Sequence, residues 1–328
     1  MFMDFFCYFC SMLLSILIPT YNYDCSLLVA ALHKQAVESG QPFEIVVADD
    51  GSTSATVAEA LKAIPKLAGC RLVTLKENQG RARVRNLLVA TSTGDYLLFV
   101  DSDAQVYDPK FLERYLALAQ RRCVLCGGIV HSDTLPSPDV SLRYRYEKQC
   151  EKRFTAECRN RHPYAQLRSF NLFMPRTIAE RFPFNERITG YGYEDTLMGR
   201  DMARAHVQVL HIDNPLLNTD LETNPRFLAK TEEALHTLAM LNREMEGYSS
   251  LLHLHQRHPL IGIEPEDAVL LKGAFRIPQG LHHAGEAQNA LPVVHLENAA
   301  NTGMPLLQQV LGSQISAAFV IVPDHRAG

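Results

Sequence analysis

The chain is predicted to be an α/β protein with a mixed, mostly parallel sheet flanked by helices, and three observations carry that prediction. Over residues 15–130, short runs of Ile, Leu, Val and aromatic residues alternate with amphipathic helical windows. Polar, turn-forming residues follow three of those runs directly: Pro19-Thr20-Tyr21-Asn22, Asp49-Asp50-Gly51-Ser52 and Asp101-Ser102-Asp103. The 328 residues, 47% of them apolar, suffice to bury a full core around such a sheet.

In chain order, strands are expected at 15–19, 43–48, 71–75, 96–100 and 124–130, each mainly aliphatic or aromatic. The helix between the first two has Asp24 to cap it and Gly40 just past its end. The next is marked by Val57, Ala60, Leu61 and Ile64 at i, i+3, i+4 and i+7, behind the cap candidates Ser52, Thr53 and Ser54. Residues 196–205 read as a further helix. A last one is expected over 227–246, where Leu228, Ala234, Leu235, Leu238 and Leu241 form an apolar face that packs back on the domain.

Composition narrows the function classes. A net charge of -4 leaves no overall polyanion footprint, so nucleic acid is not an expected partner. Basic residues do gather locally, as Arg143, Arg145, Lys148, Lys152, Arg153, Arg159 and Arg161, among Tyr144, Tyr146 and Phe154. That segment suits peripheral contact with an anionic membrane surface or a phosphorylated acceptor, or a plain solvated helix. The eight cysteines are scattered, several within apolar runs, as expected of reduced thiols in the cytoplasm; the Cys7/Cys10 and Cys123/Cys126 pairs do not read as zinc knuckles. Residues 1–14 are apolar but lack a basic leading region, which fits neither a signal peptide nor a spanning helix, and Met12 is an alternative start. From residue 258 to 328 the composition shifts toward Pro, Gly, Ala, His and Asn, and no function is read there.

Ligands of open α/β sheets gather beyond the carboxyl ends of the strands, where the three polar clusters fall. Asp101 and Asp103, one residue apart, offer the oxygen-rich ligation that Mn2+ or Mg2+ prefers; an ordinary solvated turn is the alternative.

Taken in order, these motifs resemble the family 2 glycosyltransferases of the GT-A fold, inverting enzymes that use nucleotide sugars. The match covers about residues 15–221 and adds Asn78-Gln79-Gly80, Arg85-Asn86 and Thr189-Gly190-Tyr191-Gly192-Tyr193-Glu194-Asp195 to the three clusters. The resemblance implies a nucleotide-binding half at 15–130, an acceptor half at 131–221 and a helical segment at 222–257. It implies donor contacts from Pro19, Tyr21, Asn22, Asp50, Arg85, Asp101 and Ser102, with Tyr21 against uracil and Asp50 on its N3–H. An aromatic face and an acceptor carboxylate can distinguish uracil in this way, while Arg81, Arg83 and Arg85 bring positive charge near a diphosphate, Arg85 foremost.

Metal ligation is expected from Asp103 and Asp101, with His211 as a third ligand. Acceptor contacts are expected from Asn171, Gly190, Tyr191, Gly192 and Glu194, the glycines allowing close approach to a sugar. Inverting transfer needs a base on the acceptor hydroxyl, and that role falls to Asp195, with Glu194 beside it. The expected activity is transfer from a UDP-sugar to a glycan or lipid-linked acceptor at the cytoplasmic side, in polysaccharide or lipopolysaccharide assembly. Two other readings stand beside it: a nucleotidyltransferase, although residues 19–24 hold no glycine for a phosphate loop, and a non-catalytic glycan-binding protein.

Overall fold

A computed structural model describes residues 12–119, 122–151 and 155–244. Expectations for residues 1–11 and 245–328, the end of the helix expected to 246 and of the helical segment expected to 257 among them, and for Lys152, Arg153 and Phe154, lie outside them. The chain divides into two units after Met240, and all but the last turn of the described structure belongs to the first.

The first half follows the expected alternation: β1 (Leu14–Thr20), α1 (Ser26–Ser39), β2 (Phe43–Asp49), α2 (Ala55–Leu61), β3 (Cys70–Thr74), α3 (Arg81–Thr91) and β4 (Tyr96–Val100). β1 opens one residue inside the expected extension. Asp24 does not cap α1 directly: Cys25 is the boundary residue, and the Asp24 carboxylate accepts from Ser26 N at 2.9 Å. Gly40 ends the helix at φ 66°, and Ser54 caps α2 by accepting from Val57 N. Ile64 falls in a separate 3-10 turn rather than in α2.

Then come β5 (Ala104–Gln105), α4 (Phe111–Leu118), β6 (Val124–Cys126), β7 (Ile129–His131), α5 (Ser141–Glu151), α6 (Ala156–Asn160), β8 (Asn171–Pro175), α7 (Arg176–Arg181), α8 (Glu194–Arg204), β9 (Val209–His211), β10 (Leu216–Asn218) and α9 (Asn224–Glu244). The seven-stranded sheet runs β3-β2-β1-β4-β8-β6-β9, and β5-β10-β7 form a small second sheet. In the large sheet β8 alone pairs antiparallel, with β4 and β6, so the sheet is mixed and mostly parallel as expected.

The expected strand 124–130 is in fact two strands in different sheets. A Cβ on Gly127 would stand 2.3 Å from the Tyr115 hydroxyl and 2.4 Å from Asn171 Nδ2, and Gly128 has φ 96°. The chain therefore turns at this glycine pair and leaves the large sheet.

Alternation along the strands makes two cores. Ile16, Ile45, Val47, Leu98 and Phe173 pack with Val29 and Leu32 of α1 and Tyr115 of α4 on one face. Leu17, Val46, Leu97, Phe99 and Leu172 pack with Leu88 of α3 and Met198 and Met202 of α8 on the other. Because β1, β2 and β4 run parallel, their carboxyl ends share one edge. β8 runs the other way, its Asn171 opposite Val100, so the segment before it reaches that same edge: Asp101 N donates to Phe170 O at 3.2 Å.

Candidate functional site

At this edge the first strand end leaves Tyr21 45% exposed. Asn22, at φ 52°, braces the loop: its Oδ1 accepts from the backbone N–H of Thr53 and Ser54 at 2.8 and 3.0 Å. Pro19 lies within β1, beside Ala48. Asp50 is buried, and its two carboxylate oxygens accept from Gln79 N at 2.7 Å and Gly80 N at 3.0 Å. Burial lifts the Asp50 carboxyl above its ordinary range although these two bonds oppose the shift. Asp50 thus fixes the turn that launches α3 and keeps lone pairs beyond the two already used.

α3 sorts its arginines by burial. Arg85, 2% exposed, bonds Asp101 Oδ1 through Nη2 at 2.6 Å, with its guanidinium over the Phe184 ring. Arg83 makes an exposed pair with Glu186 at 3.7 Å and a long, exposed bond to Gln79 Oε1 at 3.5 Å. Arg81, on the open side, joins both carboxylate groups of the edge: Nε donates to Glu194 at 2.7 Å, and Nη2 stands 3.6 Å from Asp101. The sequence reading put Arg85 foremost; Arg85 is enclosed behind Asp101, and Arg81 is the arginine that faces the edge. Its place as the first helical residue after Gly80 was the available signal.

Ser102 sits in the turn closed by Ala104 N to Asp101 O at 3.1 Å. Asp103 follows, with its carbonyl held by Thr219 at 2.9 Å. Burial, together with the charge of Asp101, pushes the Asp103 carboxyl up to about 7. Asp101 shows the opposite result: burial would raise it, and Arg85 and Arg81 more than reverse that. An oxygen pair whose second member lacks a compensating cation suits a hard divalent ion, with Asp103 as the available ligand.

His211 does not join that pair. It lies on β9 at the far edge of the sheet, with Nδ1 accepting from Arg159 Nη1 at 2.8 Å and Nε2 donating to Pro163 O at 2.9 Å. Both ring nitrogens are used, and burial lowers its pKa to about 4, so the expected third ligand is a structural histidine. Among the described residues no group of three His, Cys, Asp or Glu could hold a metal ion.

The segment expected to meet the acceptor reaches the edge through α8. Glu194 is buried and tied to Arg81; burial would raise its carboxyl, and Arg81 and Arg85 hold it below the usual range. Asp195 Oδ2 accepts from Ser169 N at 3.1 Å, while Oδ1 is buried without a hydrogen-bond partner. Burial and the neighbouring Glu194 push the Asp195 carboxyl up to about 6. A carboxylate of that basicity, one oxygen unclaimed, suits proton abstraction near neutral pH.

Close packing explains Gly190, and a left-handed backbone explains Gly192. A Cβ on Gly190 would lie 2.7 Å from Thr237 Oγ1, and one on Gly192, at φ 91°, would lie 3.5 Å from Ala234 Cβ. Tyr191 N donates to Glu233 at 2.9 Å, and its ring lies between Lys230 Nζ at 5.0 Å and Arg81 Cζ at 5.5 Å. Asn171 is likewise internal: its Oδ1 accepts from Tyr115, and its Nδ2 donates to the Gly128 and Asn214 carbonyls.

The basic segment is neutralised in part within the fold. Arg143 pairs with Glu147 and Glu222, Lys148 with Glu151 and Asp133, and Arg159 is buried. Cys123 and Cys126 are buried thiols. Among the described residues no helix is long and apolar enough to cross a membrane.

Residues 15–175 match a family model described as glycosyl transferase family 2. An uncharacterized glycosyltransferase of Haemophilus influenzae is 31% identical over 119 residues, 35% of this chain and 46% of that protein, so the chain spans less than half of that relative. Two solved structures share the fold. One is S. aureus TarS 1–349 in complex with UDP-GlcNAc, 21% identical, TM-score 0.50, covering 75% of this chain and 73% of that one. The other is mannosyltransferase PcManGT from Pyrobaculum calidifontis in complex with GDP-Man and Mn2+, 18% identical, TM-score 0.51, covering 80% and 74%.

Proposed function

We propose that this chain, a member of the family 2 glycosyltransferases with the GT-A fold, moves a sugar from UDP to the hydroxyl of a glycan or lipid-linked acceptor with inversion. The observation that carries the reading is the meeting, at one sheet edge, of the Asp101-Asp103 pair with an underused, basic Asp195 on α8. Neither a scaffold nor a nucleotidyltransferase needs both.

Tyr21 offers an exposed ring for the base, and the remaining lone pairs of Asp50 suit a ring N–H. The fold itself does not choose the base, since one neighbour is described with a uridine and the other with a guanosine donor. Asp103 is the expected ligand for Mn2+ or Mg2+, and Asp101, held by two arginines, the second member of its shell. Such an ion stabilises the charge on the departing diphosphate. Arg81 lies between Asp101 and Glu194, where it can steady the negative charge on both sides of the reaction. Asp195 accepts the proton of the acceptor hydroxyl as that oxygen bonds to the anomeric carbon and the bond to phosphate breaks. The buried thiols agree with a reducing, cytoplasmic setting, and the family resemblance implies cell-surface polysaccharide or lipopolysaccharide assembly.

The test is a panel of UDP-glucose, UDP-galactose, UDP-N-acetylglucosamine, UDP-N-acetylgalactosamine, UDP-glucuronate and GDP-mannose, each read for donor hydrolysis and thermal stabilisation with Mn2+. One UDP-sugar should stabilise the protein and turn over, with both effects lost in EDTA. Preference for GDP-mannose would overturn the uracil assignment; turnover unaffected by EDTA would overturn the metal.

A further inference from the structure

Next to the candidate base lies a cavity of about 40 Å³, lined in part by His131, Glu147, Glu151, Arg159, Gln166 and Arg168. Its carboxylates are already neutralised: Glu147 takes Arg143 at 2.5 Å and Glu151 takes Lys148 at 2.6 Å. Its other two cations are not. Arg159, 8% exposed, spends its terminal nitrogens on the carbonyls of Cys126, Gly127 and Ile212 and on His211, and its Nε has no hydrogen-bond partner. Arg168 pairs with no carboxylate among the described residues. Buried Arg159, with Nε unmet, and half-buried Arg168 place two positive charges without a paired carboxylate beside one cavity, an arrangement that favours an anion there.

His131 adds a different atom. Its Nδ1 lies 3.1 Å from Glu151, and a carboxylate can only accept, so the ring proton is on Nδ1. Nε2 is then a buried lone pair with no hydrogen-bond partner, 3.8 Å from a Glu147 carboxylate oxygen that cannot donate to it. Two cations, one unmet N–H and one unmet acceptor form the complement of an acidic group with a hydroxyl next to it. The volume holds roughly three waters, enough for a carboxylate or a phosphate and too small for a sugar ring. Arg168, which lines the cavity, immediately precedes Ser169, whose N–H holds Asp195, so the cavity and the candidate base share one short segment of chain.

We propose that this cavity takes the acidic group of an anionic acceptor, a sugar carboxylate or phosphate ester, with Arg168 and Arg159 on the anion and His131 Nε2 on a neighbouring hydroxyl. The proposal rests on the acceptor-side reading of Asp195 given above. It makes the substrate class an acidic sugar and Arg168 the residue that sets that specificity.

The experiment is calorimetric titration of the full chain, with UDP and Mn2+ present, by methyl β-glucuronide, glucose 6-phosphate and the uncharged methyl β-glucoside. One acidic probe should bind about tenfold or more tighter than the glucoside, and which of the two does so tells carboxylate from phosphate. Arg168→Gln should erase the preference, and Arg168→Lys, which keeps the charge, should retain much of it. Equal affinities for charged and neutral probes, no binding of any probe at millimolar concentration, or a preference that survives Arg168→Gln would each overturn the proposal. UDP binding is read in the same cell: its absence would strike the transferase reading and leave the anion cavity standing.

Discussion

The two sides of the sheet edge, proposed above to meet donor and acceptor, treat their polar groups differently. On the first side the protein satisfies Asp50 with two backbone N–H groups and Asp101 with Arg85 and Arg81, leaving Asp103 without a paired cation and Arg85 Nε without a partner among the described residues. On the acceptor side it leaves atoms unmet, among them Asp195 Oδ1, Ser169 Oγ, His131 Nε2 and Arg159 Nε. The contrast separates two uses of buried polarity. Satisfied groups hold loops and helix starts in place before a ligand arrives; unmet groups await a hydroxyl or a charge from outside.

The largest effect should come from the unmet side. Asp195→Asn keeps size but removes the basic carboxylate, so transfer should fall by roughly two to four orders of magnitude while UDP affinity is kept. A rate within a few-fold of wild type would shift the role to Glu194. The same group sets a pH dependence. Its carboxyl is raised to about 6 and the ionised form is the active base, so transfer should rise through that pH and stay level above it. A rate flat from acid to neutral pH would count against the assignment.

Next in size is a break on the satisfied side. Asp101→Ala strands the enclosed Arg85 guanidinium and should cost about 3–5 kcal/mol of stability in denaturant unfolding. Asp50→Ala frees the Gln79 and Gly80 N–H groups and should cost about 1–3 kcal/mol, with weaker uridine binding because α3 starts from that turn. Tyr21→Ala should change stability by at most about 0.5 kcal/mol, since the ring is exposed, yet narrow the preference for UDP over GDP. A Tyr21 variant that destabilised more than the Asp50 variant would reverse the contrast.

The two sides also differed in how much the sequence disclosed. β1, β2 and β4 are mainly apolar runs that end in polar residues, and β3 is a shorter one, so their type followed from local pattern. β8 was not expected as a strand, because its five residues become one only by pairing with β4 and β6, more than forty positions away. The 124–130 run looked unbroken because Gly127-Gly128 sits among aliphatic residues, and the close approach of Tyr115 and Asn171 that requires Gly127 is tertiary. Arg81 and Arg85 lie one turn apart on α3; which one is enclosed depends on Phe184, a hundred residues on. The cavity has no local signal at all, since His131, Arg159 and Arg168 come from β7, α6 and the loop before β8.

Asp103 is where a metal-held diphosphate is most directly tested. Calorimetric UDP affinity with Mn2+ should fall about tenfold or more in Asp103→Ala, and EDTA should bring wild type to the same weak binding, because the charge that holds the diphosphate is gone in both cases. Wild-type affinity in the variant, indifferent to EDTA, would contradict a metal-held diphosphate at this strand end.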